Sequence, residues 1–133
     1  MGNAKVIAVD THVWIYLSAG KTKALSRDAL AALDKADTIL LNAISCWETA
    51  LLVEKGRLQL DRDVRLWILQ ALKYPKLEII NPDPLILIEA VQLKDFHPDP
   101  ADRMIAAMCL VRDIPLVTKD RRIREWGRIK TIW

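Results

Sequence analysis

Short β-rich runs and helical segments alternate along the whole chain, and this alternation constrains the fold more than any other feature. The predicted strands cover residues 5–9, 38–41, 76–80 and 115–118, with a possible edge strand at 129–132. Because a helical segment separates each strand from the next, we expect the strands to run parallel, with helices on both faces of the sheet. The sequence therefore predicts an α/β fold with three layers, α/β/α, around a central parallel sheet of four to five strands.

Capping residues and apolar spacing predict the helices between these strands. Helices are expected at 12–19, from Ser26 to about Ala36, from Ser45 to near Gly56, from Asp61 onward, from Asp83-Pro84 to about Leu93, from Asp99-Pro100 to about Arg112, and at 121–126. Leu30 and Leu33 are expected to face inward from the second of these helices. The helix capped by Asp61 has an apolar face formed by Val64, Trp67, Ile68, Ala71 and Leu72.

The length of 133 residues, without a linker or internal repeat, predicts a single domain over residues 1–133. With 52% hydrophobic residues, the chain does not belong to the disordered class. Cys46 and Cys109 lack the spacing of a disulfide framework or a zinc ribbon, so both are expected to be core residues in a reducing compartment. No apolar run approaches the roughly 18–20 residues of a membrane span, and no cleavable signal precedes the first strand. We therefore expect a cytoplasmic protein without membrane contact.

Four carboxylates interrupt otherwise apolar segments: Asp10, Glu48, Asp102 and Asp120. Asp10 directly follows the first predicted strand, and Asp120 closely follows the fourth. Glu48 and Asp102 lie in the first turns of helices that leave the same edge of the sheet. Because the carboxyl ends of parallel strands meet at one edge, we expect all four acids to converge there.

Each acid also has an ordinary structural interpretation: Asp10 as a helix cap, Glu48 as the partner of Ser45 in a capping box, Asp102 as a charge favoured by the helix dipole, and Asp120 as an ion-pair partner of Arg121 or Arg122. None of these interpretations explains why the acids share one edge. Converging carboxylates repel one another unless a cation neutralises them, and oxygen ligands favour Mg²⁺ or Mn²⁺. A divalent ion held in this way is suited to the hydrolysis of a phosphodiester.

Other kinds of catalytic site have little support. The sequence shows no Ser/His/Asp or Cys/His arrangement, and no glycine-rich loop that would bind a nucleotide cofactor. His12 and His97 are expected to be hydrogen-bonding loop residues rather than proton shuttles. The acidic group is therefore the candidate catalytic site.

Four segments of the sequence resemble the motifs of PIN-domain ribonucleases, and more closely those of the VapC-type toxins of bacterial toxin–antitoxin pairs. In chain order they are VDTHVWI at 9–15, SCWE at 45–48 followed by KGRL at 55–58, HPDPADR at 97–103, and LVTKD at 116–120. The resemblance runs from near residue 5 to the end. It implies a PIN-like fold and a Mg²⁺- or Mn²⁺-dependent endoribonuclease that a cognate antitoxin holds inactive.

The resemblance also implies roles for individual residues. Asp10 and Asp102 would be the main metal ligands, and Glu48 and Asp120 would complete the site directly or through water. Asp120 is the candidate for orienting or deprotonating the attacking water. The supporting residues implied around these acids are Thr118 within the pocket and His97, Asp99 and Arg103 at its rim or in contact with the ligands.

One position departs from the family pattern. Relatives often carry a basic residue one turn after the glutamate, whereas this chain has Leu52 there. Lys55 is a candidate substitute, so the departure affects one substrate contact and leaves the metal site as it is.

The net charge of +3 is concentrated at one end of the chain. Residues 119–133 contain six basic and two acidic side chains, a balance of +4, so the first 118 residues sum to −1. Such a tail could be simply a solvated face, but beside an acidic pocket it would attract an RNA backbone. Lys119 and Arg121 are its candidate RNA contacts. Trp14, Trp47 and Trp67 are expected to pack in the core or at an interface, while Trp126 and Trp133 are more open to a role in base stacking.

Two apolar helical segments, 12–19 and 83–93, carry more apolar residues than a small core requires. They could form a homodimer face or receive an antitoxin segment, or they could be ordinary core. The alternative function is a catalytically inactive PIN-like module that binds RNA or protein, or a receiver-like domain. A receiver requires an aspartate after the third strand, where this chain has Asn81.

Overall fold

The computed structural model describes residues 5–133, in which five strands form one parallel sheet. The strands are β1 (Val6–Val9), β2 (Thr38–Asn42), β3 (Leu77–Ile80), β4 (Leu116–Val117) and β5 (Thr131–Ile132). Their order is β3-β2-β1-β4-β5, and all four pairings are parallel. The predicted parallel sheet is confirmed, with the edge strand β5 as its fifth member. Residues 1–4, on which part of the localisation argument depends, lie outside the described range.

Seven α-helices are present in the described range: α1 (Thr11–Ser18), α2 (Arg27–Lys35), α3 (Ile44–Glu54), α4 (Val64–Ala71), α5 (Pro84–Gln92), α6 (Pro100–Arg112) and α7 (Arg121–Trp126). A short 3₁₀ turn at Thr22–Ala24, which the sequence did not predict, joins α1 to α2. None of these helices is both long enough and apolar enough to cross a membrane.

Two apolar clusters lie on opposite faces of the sheet and make the predicted three layers. Ile7 and Val9 of β1 belong to the cluster beneath α1, α2 and α4, whereas Ala8 belongs to the cluster beneath α5, α6 and α7. Successive side chains of a strand point to opposite faces, so the central strand contributes to both cores. This arrangement leaves the carboxyl edge of the sheet open at β1 and β4.

The two Asp-Pro signals predict their helices correctly. Asp83 caps α5, since its carboxylate accepts a hydrogen bond from Ile86 N at 3.0 Å. Asp99 caps α6 in the same way, with Asp102 N as the donor at 2.9 Å. A proline after each cap costs no hydrogen bond, because the first amide of a helix has no partner within the helix.

The prediction for the cap of α4 was wrong. Asp63, not Asp61, accepts hydrogen bonds from the first amides of α4, those of Arg65 and Leu66. Asp61 is instead paired with the neighbouring Arg62 at 2.8 Å. The two acids give the same signal in the sequence, and only Asp63 directly precedes the first helical residue.

Leu30 was also wrongly predicted to face inward. It is exposed, whereas Ala29 and Leu33, four residues apart, form the buried stripe of α2. Cys109 is buried and Cys46 is half-buried against the core, and both are free thiols as predicted. The apolar face predicted for α4 is confirmed, with Trp67 and Ala71 buried.

The tryptophans occupy different environments, some in the core and some at the surface. Trp14 and Trp67 pack edge to face with ring centroids 5.6 Å apart. Trp47, expected in the core or at an interface, is 51% exposed and so lies outside the core, because α3 turns Ser45 and Thr49 toward the interior instead. Trp126 is held by a hydrogen bond from its indole N–H to Lys94 O at 2.7 Å.

The two apolar helical segments also divide. α1 is ordinary core, with Val13, Trp14, Ile15 and Leu17 buried. α5 turns only Ile86 and Ala90 inward and leaves an apolar surface exposed, formed by Leu85, Leu87, Ile88 and Val91. An apolar surface of this kind is typical of a contact face between proteins.

Candidate active site

A cavity of about 300 Å³ opens at the carboxyl edge of the sheet, and five acids line it. They are the four that the sequence predicted to converge, Asp10, Glu48, Asp102 and Asp120, together with Asp99. We call this cavity the acid pocket. The strand ends and helix starts therefore bring together carboxylates separated by up to 110 residues in the chain.

Asp10 lies at the end of β1 and is 6% exposed. One of its oxygens accepts a hydrogen bond from Val13 N at 2.9 Å, so Asp10 caps α1 as well as lining the pocket. The other oxygen accepts a hydrogen bond from the Thr118 hydroxyl. Burial raises the pKa of Asp10 above its ordinary value, although these two hydrogen bonds oppose the shift.

Thr118 is a buried residue directly after β4, and its hydroxyl connects two of the acids. It donates to Asp10 and accepts a hydrogen bond from Asp120 N at 3.1 Å. The hydroxyl thus fixes both the Asp10 side chain and the backbone that carries Asp120. Thr118 is thus in contact with two of the pocket acids, and the supporting role that the resemblance implies for it stays a prediction.

Glu48 lies in α3 without the predicted capping box. The helix begins at Ile44, so Ser45 is already helical, and its hydroxyl accepts a hydrogen bond from the Thr11 hydroxyl at 2.8 Å. The Ile44 amide is bound by Asn42 Oδ1 instead, at 3.0 Å. Burial raises the pKa of Glu48, and the charge of Asp99 raises it further.

Asp102 has the most perturbed carboxyl group of the pocket. Burial and the charges of Asp99, Glu48, Asp120 and Asp10, in that order, raise its pKa to about 8. Its Oδ2 atom lies 3.2 Å from His97 Nε2 and 3.9 Å from an Arg122 guanidinium nitrogen. A carboxyl group with such a pKa is largely protonated at neutral pH unless a cation enters the cluster.

Asp120 behaves differently because a cation faces it. Burial alone would raise the pKa of Asp120, but the Arg122 side chain and the amides of Ile123 and Arg122 donate to it and together lower the pKa. The Arg122 guanidinium lies 3.2 Å from Asp120 Oδ2. Asp120 is therefore both the cap of α7 and an ionised member of the pocket.

The remaining residues that the sequence singled out lie in different places. His97 is near Asp102, burial lowers its pKa, and its Nδ1 accepts a hydrogen bond from Asp99 N at 3.4 Å. Lys119 lines the pocket. Arg121 does not line it and pairs with Glu125 at 2.7 Å.

Arg103 points away from the pocket. Its five N–H groups donate to five backbone carbonyls, those of Ala90, Val91, Leu93, Phe96 and His97, at 2.7–3.2 Å. We call this group the Arg103 anchor. It satisfies carbonyls at the end of α5 and fixes the loop that leads to Asp99, so it supports the pocket from behind.

Sequence reasoning did not identify several residues that line the pocket. Thr11 and Tyr16 were not expected there, and Arg122 was considered only as an ion-pair partner of Asp120. His12, expected to be a hydrogen-bonding loop residue although the predicted helix begins with it, lines the pocket from α1. Two signals were available in the sequence. Thr11 directly follows Asp10, and Tyr16 lies four residues after His12, which places the two on the same face of a helix. For Arg122, the signal was its place two residues after a capping acid, where its guanidinium can fold back onto the cap.

Two groups of side chains in residues 5–133 are arranged so that they could hold a metal ion. They are Glu48, Asp99 and Asp102, and His97, Asp102 and Asp120, with the ligand atoms of each group within 4.8 Å of one another. The first offers only carboxylate oxygens, which hard divalent cations prefer. Burial and then the charges of four neighbouring carboxylates raise the pKa of Asp102, and a cation among these acids would oppose both effects, so the residues present fit a divalent ion.

The fold and pocket together define a class of protein, an α/β domain with a carboxylate cluster at the open edge of a parallel sheet. A sequence model of the PIN domain matches residues 7–129. The chain belongs to the PIN-domain family, as the sequence motifs predicted.

One relative and two solved structures are similar to this chain. The chain is 37% identical over 130 residues to Ribonuclease VapC22 of Mycobacterium tuberculosis, covering 96% of this chain and 98% of the relative. The solved structure of DNA-bound VapBC from Salmonella typhimurium has a TM-score of 0.67 and 21% identity, covering 97% of each chain. VapBC2 from Rickettsia felis, bound to a promoter DNA fragment, has a TM-score of 0.65 and 16% identity, covering 95% of this chain and 96% of that one. These two structures are similar in fold.

Proposed function

We propose that this chain, as a single PIN domain over residues 1–133, is the toxin ribonuclease of a toxin–antitoxin pair and hydrolyses RNA phosphodiester bonds with Mg²⁺ or Mn²⁺. The observation that carries the proposal is the acid pocket, in which the pKa of Asp102 is raised to about 8 among four other acids. The similarity to a relative named Ribonuclease VapC22 supports RNA as the substrate. Acting on cellular RNA, the protein would work in the cytoplasm.

Asp10, Glu48, Asp102 and Asp120 would hold the metal. Glu48 and Asp120 each fall in one of the two candidate groups together with Asp102, and Asp99 is close enough to Asp102 to join them. Asp10 is in neither group but lines the same pocket. When bound, a divalent ion lowers the pKa of water and stabilises negative charge on a phosphate. The chain's own contribution is to hold the carboxylates in place. Val13 N and the Thr118 hydroxyl fix the two oxygens of Asp10, and the same hydroxyl fixes the backbone of Asp120.

Asp120 is the residue best suited to orient the attacking water. Hydrogen bonds from the Arg122 side chain and from the first amides of α7 outweigh burial and lower the pKa of Asp120, so its ionised carboxylate can accept a hydrogen bond from the water. Lys119 and Arg122 place positive charge at the pocket wall, where five carboxylates would otherwise repel an entering phosphate.

Two protein partners follow from the proposal. An antitoxin would hold the enzyme inactive, which the similarity to solved VapBC assemblies supports. The exposed apolar side chains of α5, among them Leu85 and Val91, would form the interface of a homodimer. Light scattering tests whether the chain forms a dimer through this face. It measures the molecular mass of the protein in solution with and without a Leu85→Glu substitution.

The activity is tested with the full chain, purified and incubated with structured RNA in Mg²⁺ or Mn²⁺. We expect cleavage that a chelator abolishes and that Asp10→Asn or Asp102→Asn reduces about 100-fold or more. Asp113→Asn is the matched control, because Asp113 is an exposed acid at the far end of α6.

Cleavage that is undiminished in both pocket variants would place the activity elsewhere and overturn the proposal. A Mn²⁺ titration by calorimetry distinguishes the proposed ribonuclease from the alternative, a catalytically inactive binding module. If neither cleavage nor carboxylate-dependent Mn²⁺ binding occurs, the chain is the catalytically inactive binding module.

A further inference from the structure

A second cavity, of about 310 Å³, adjoins the acid pocket and shares Glu48 and Asp99 with it. We call it the α3 groove. Its other main lining residues are Trp47, Leu51, Leu52, Lys55, Arg57 and Pro100. Because the two cavities share these residues, a substrate bound in the acid pocket can extend directly into the groove.

Trp47 is the largest side chain of the groove, and the fold does not use it in the core. It is 51% exposed, although it lies one residue from Glu48 and two residues from the buried Ser45 and Thr49. An exposed indole beside a polar pocket offers a flat apolar surface on which a nucleobase can stack.

Lys55 and Arg57 give the groove positive charge. Both are exposed, and neither forms an ion pair with a carboxylate in the part of the chain that the structure describes. Unpaired cations beside a flat aromatic ring match the two components of a nucleotide, its phosphate and its base. A polyanion is favoured over a peptide here, because the adjoining pocket would receive a phosphate of the same strand.

We propose that the α3 groove binds the nucleotide next to the scissile phosphate of single-stranded RNA. The base stacks on Trp47, and Lys55 and Arg57 contact the adjoining phosphate. This inference rests on the proposed ribonuclease function, and it names Trp47 as a residue that influences which sequences are cleaved.

The test measures binding of a fluorescein-labelled, eight-nucleotide single-stranded RNA of mixed sequence by fluorescence anisotropy. The full chain carries Asp102→Asn so that the probe stays intact. Adding Trp47→Leu is expected to weaken binding roughly 5- to 100-fold, because it removes the stacking surface. Trp47→Phe keeps an aromatic ring and is expected to retain most of the affinity.

The charges are tested by salt dependence. Replacing both Lys55 and Arg57 with Gln is expected to lower the slope of log affinity against log salt by about 1.4, the value for two contacts with a single strand. Arg112→Gln, at the opposite end of α6 from the pocket, is the matched control and is expected to leave the slope unchanged.

The inference is overturned if the parent chain does not bind the probe, or if Trp47→Leu binds it as tightly as the parent. It is also overturned if Trp47→Leu leaves RNA binding intact but weakens binding of the purified antitoxin, since the groove would then be a protein site. With Asp102 restored, Trp47→Leu should raise KM and change the cleaved sequences. Absence of cleavage by the wild-type chain, with the anisotropy loss still present, would contradict the ribonuclease function and leave the RNA-binding groove standing.

Discussion

Asp102 and Arg103 are neighbours in α6, yet their side chains lie in opposite environments, one in the acid pocket and the other in the Arg103 anchor. Asp102 faces four other carboxylates, and its pKa is raised to about 8. Arg103 has a carbonyl partner for every N–H group. The anchor stabilises the fold, whereas the pocket retains repulsion that a bound cation would relieve. The anchor thus fixes the segment that leads to Asp99, and it is formed by the residue that directly follows Asp102.

The largest change in stability is expected from Arg103→Ala. The substitution leaves five carbonyls at the end of α5 and in the following loop without their donor, which should lower the free energy of unfolding by about 3–4 kcal/mol. Urea denaturation followed by circular dichroism measures this loss. Arg103→Lys keeps the charge but has three donors at one point, so it should recover less than half of the loss. Equal stability of the alanine variant and the wild type would contradict the role of the anchor.

Asp102→Asn should act in the opposite direction when no metal is present. At pH 7.5 the Asp102 carboxyl is largely protonated in the folded state and ionised in the unfolded chain, whereas an amide of the same shape is neutral in both, so the free energy of unfolding should rise by about 2 kcal/mol. Thermal unfolding in a chelating buffer should show a melting temperature about 5 °C or more above the wild type. A lower melting temperature would mean that holding the Asp102 carboxyl among buried acids costs the folded state no stability.

The wild-type protein should lose stability as pH rises. Below the ordinary carboxyl pKa of 3.8, Asp102 is protonated in both folded and unfolded states and contributes nothing. Between about pH 4 and pH 8 the folded state holds a proton that the unfolded chain releases, so the free energy of unfolding falls by about 1 kcal/mol per pH unit. Melting temperatures measured from pH 5 to 7.5 check this slope. Asp102→Asn or added Mn²⁺ should reduce it by more than half, and a stability that rises with pH would refute the assignment.

The smallest effect is expected from Arg121→Gln. Arg121 forms an exposed i, i+4 pair with Glu125, and such pairs contribute less than about 0.5 kcal/mol. Its denaturation midpoint should match the wild type within error. Arg122→Gln is the informative counterpart, because it removes the cation that faces Asp120 and Asp102. If Arg122→Gln and Arg121→Gln have the same denaturation midpoint, the charge of Arg122 does not act on the pocket.

The fold could be predicted from the sequence because its signals are local. Alternating apolar runs and Asp-Pro caps depend on neighbouring residues, and the rule for parallel strands then places the acids on one edge. The Asp-Pro pairs at Asp83 and Asp99 therefore predicted where α5 and α6 begin. The positions of Asp10 and Asp120 after their strands predicted the edge of the sheet at which the acid pocket lies. Where two local signals compete, as at Asp61 and Asp63, the choice depends on backbone angles that composition does not determine.

The environment of individual side chains was harder to predict because it depends on packing. Helical spacing alone could not show that α3 turns Ser45 and Thr49 inward and leaves Trp47 outside. The partners of Arg103 are backbone carbonyls, which every residue possesses and no sequence motif marks. The roles of the site residues themselves remain predictions, to be settled by the variants described above.

The hydrogen bond between Thr118 and Asp10 joins residues 108 positions apart, and this distance has a consequence for synthesis. A ribosome makes Asp10 almost at once, but Thr118 and Asp120 emerge only when the chain is nearly finished. Until β4 pairs with β1, the first acid lacks its hydroxyl partner and the last acid does not exist. Nascent or prematurely terminated chains would thus be harmless to the RNA being translated beside them, because the catalytic centre assembles only in a nearly complete molecule.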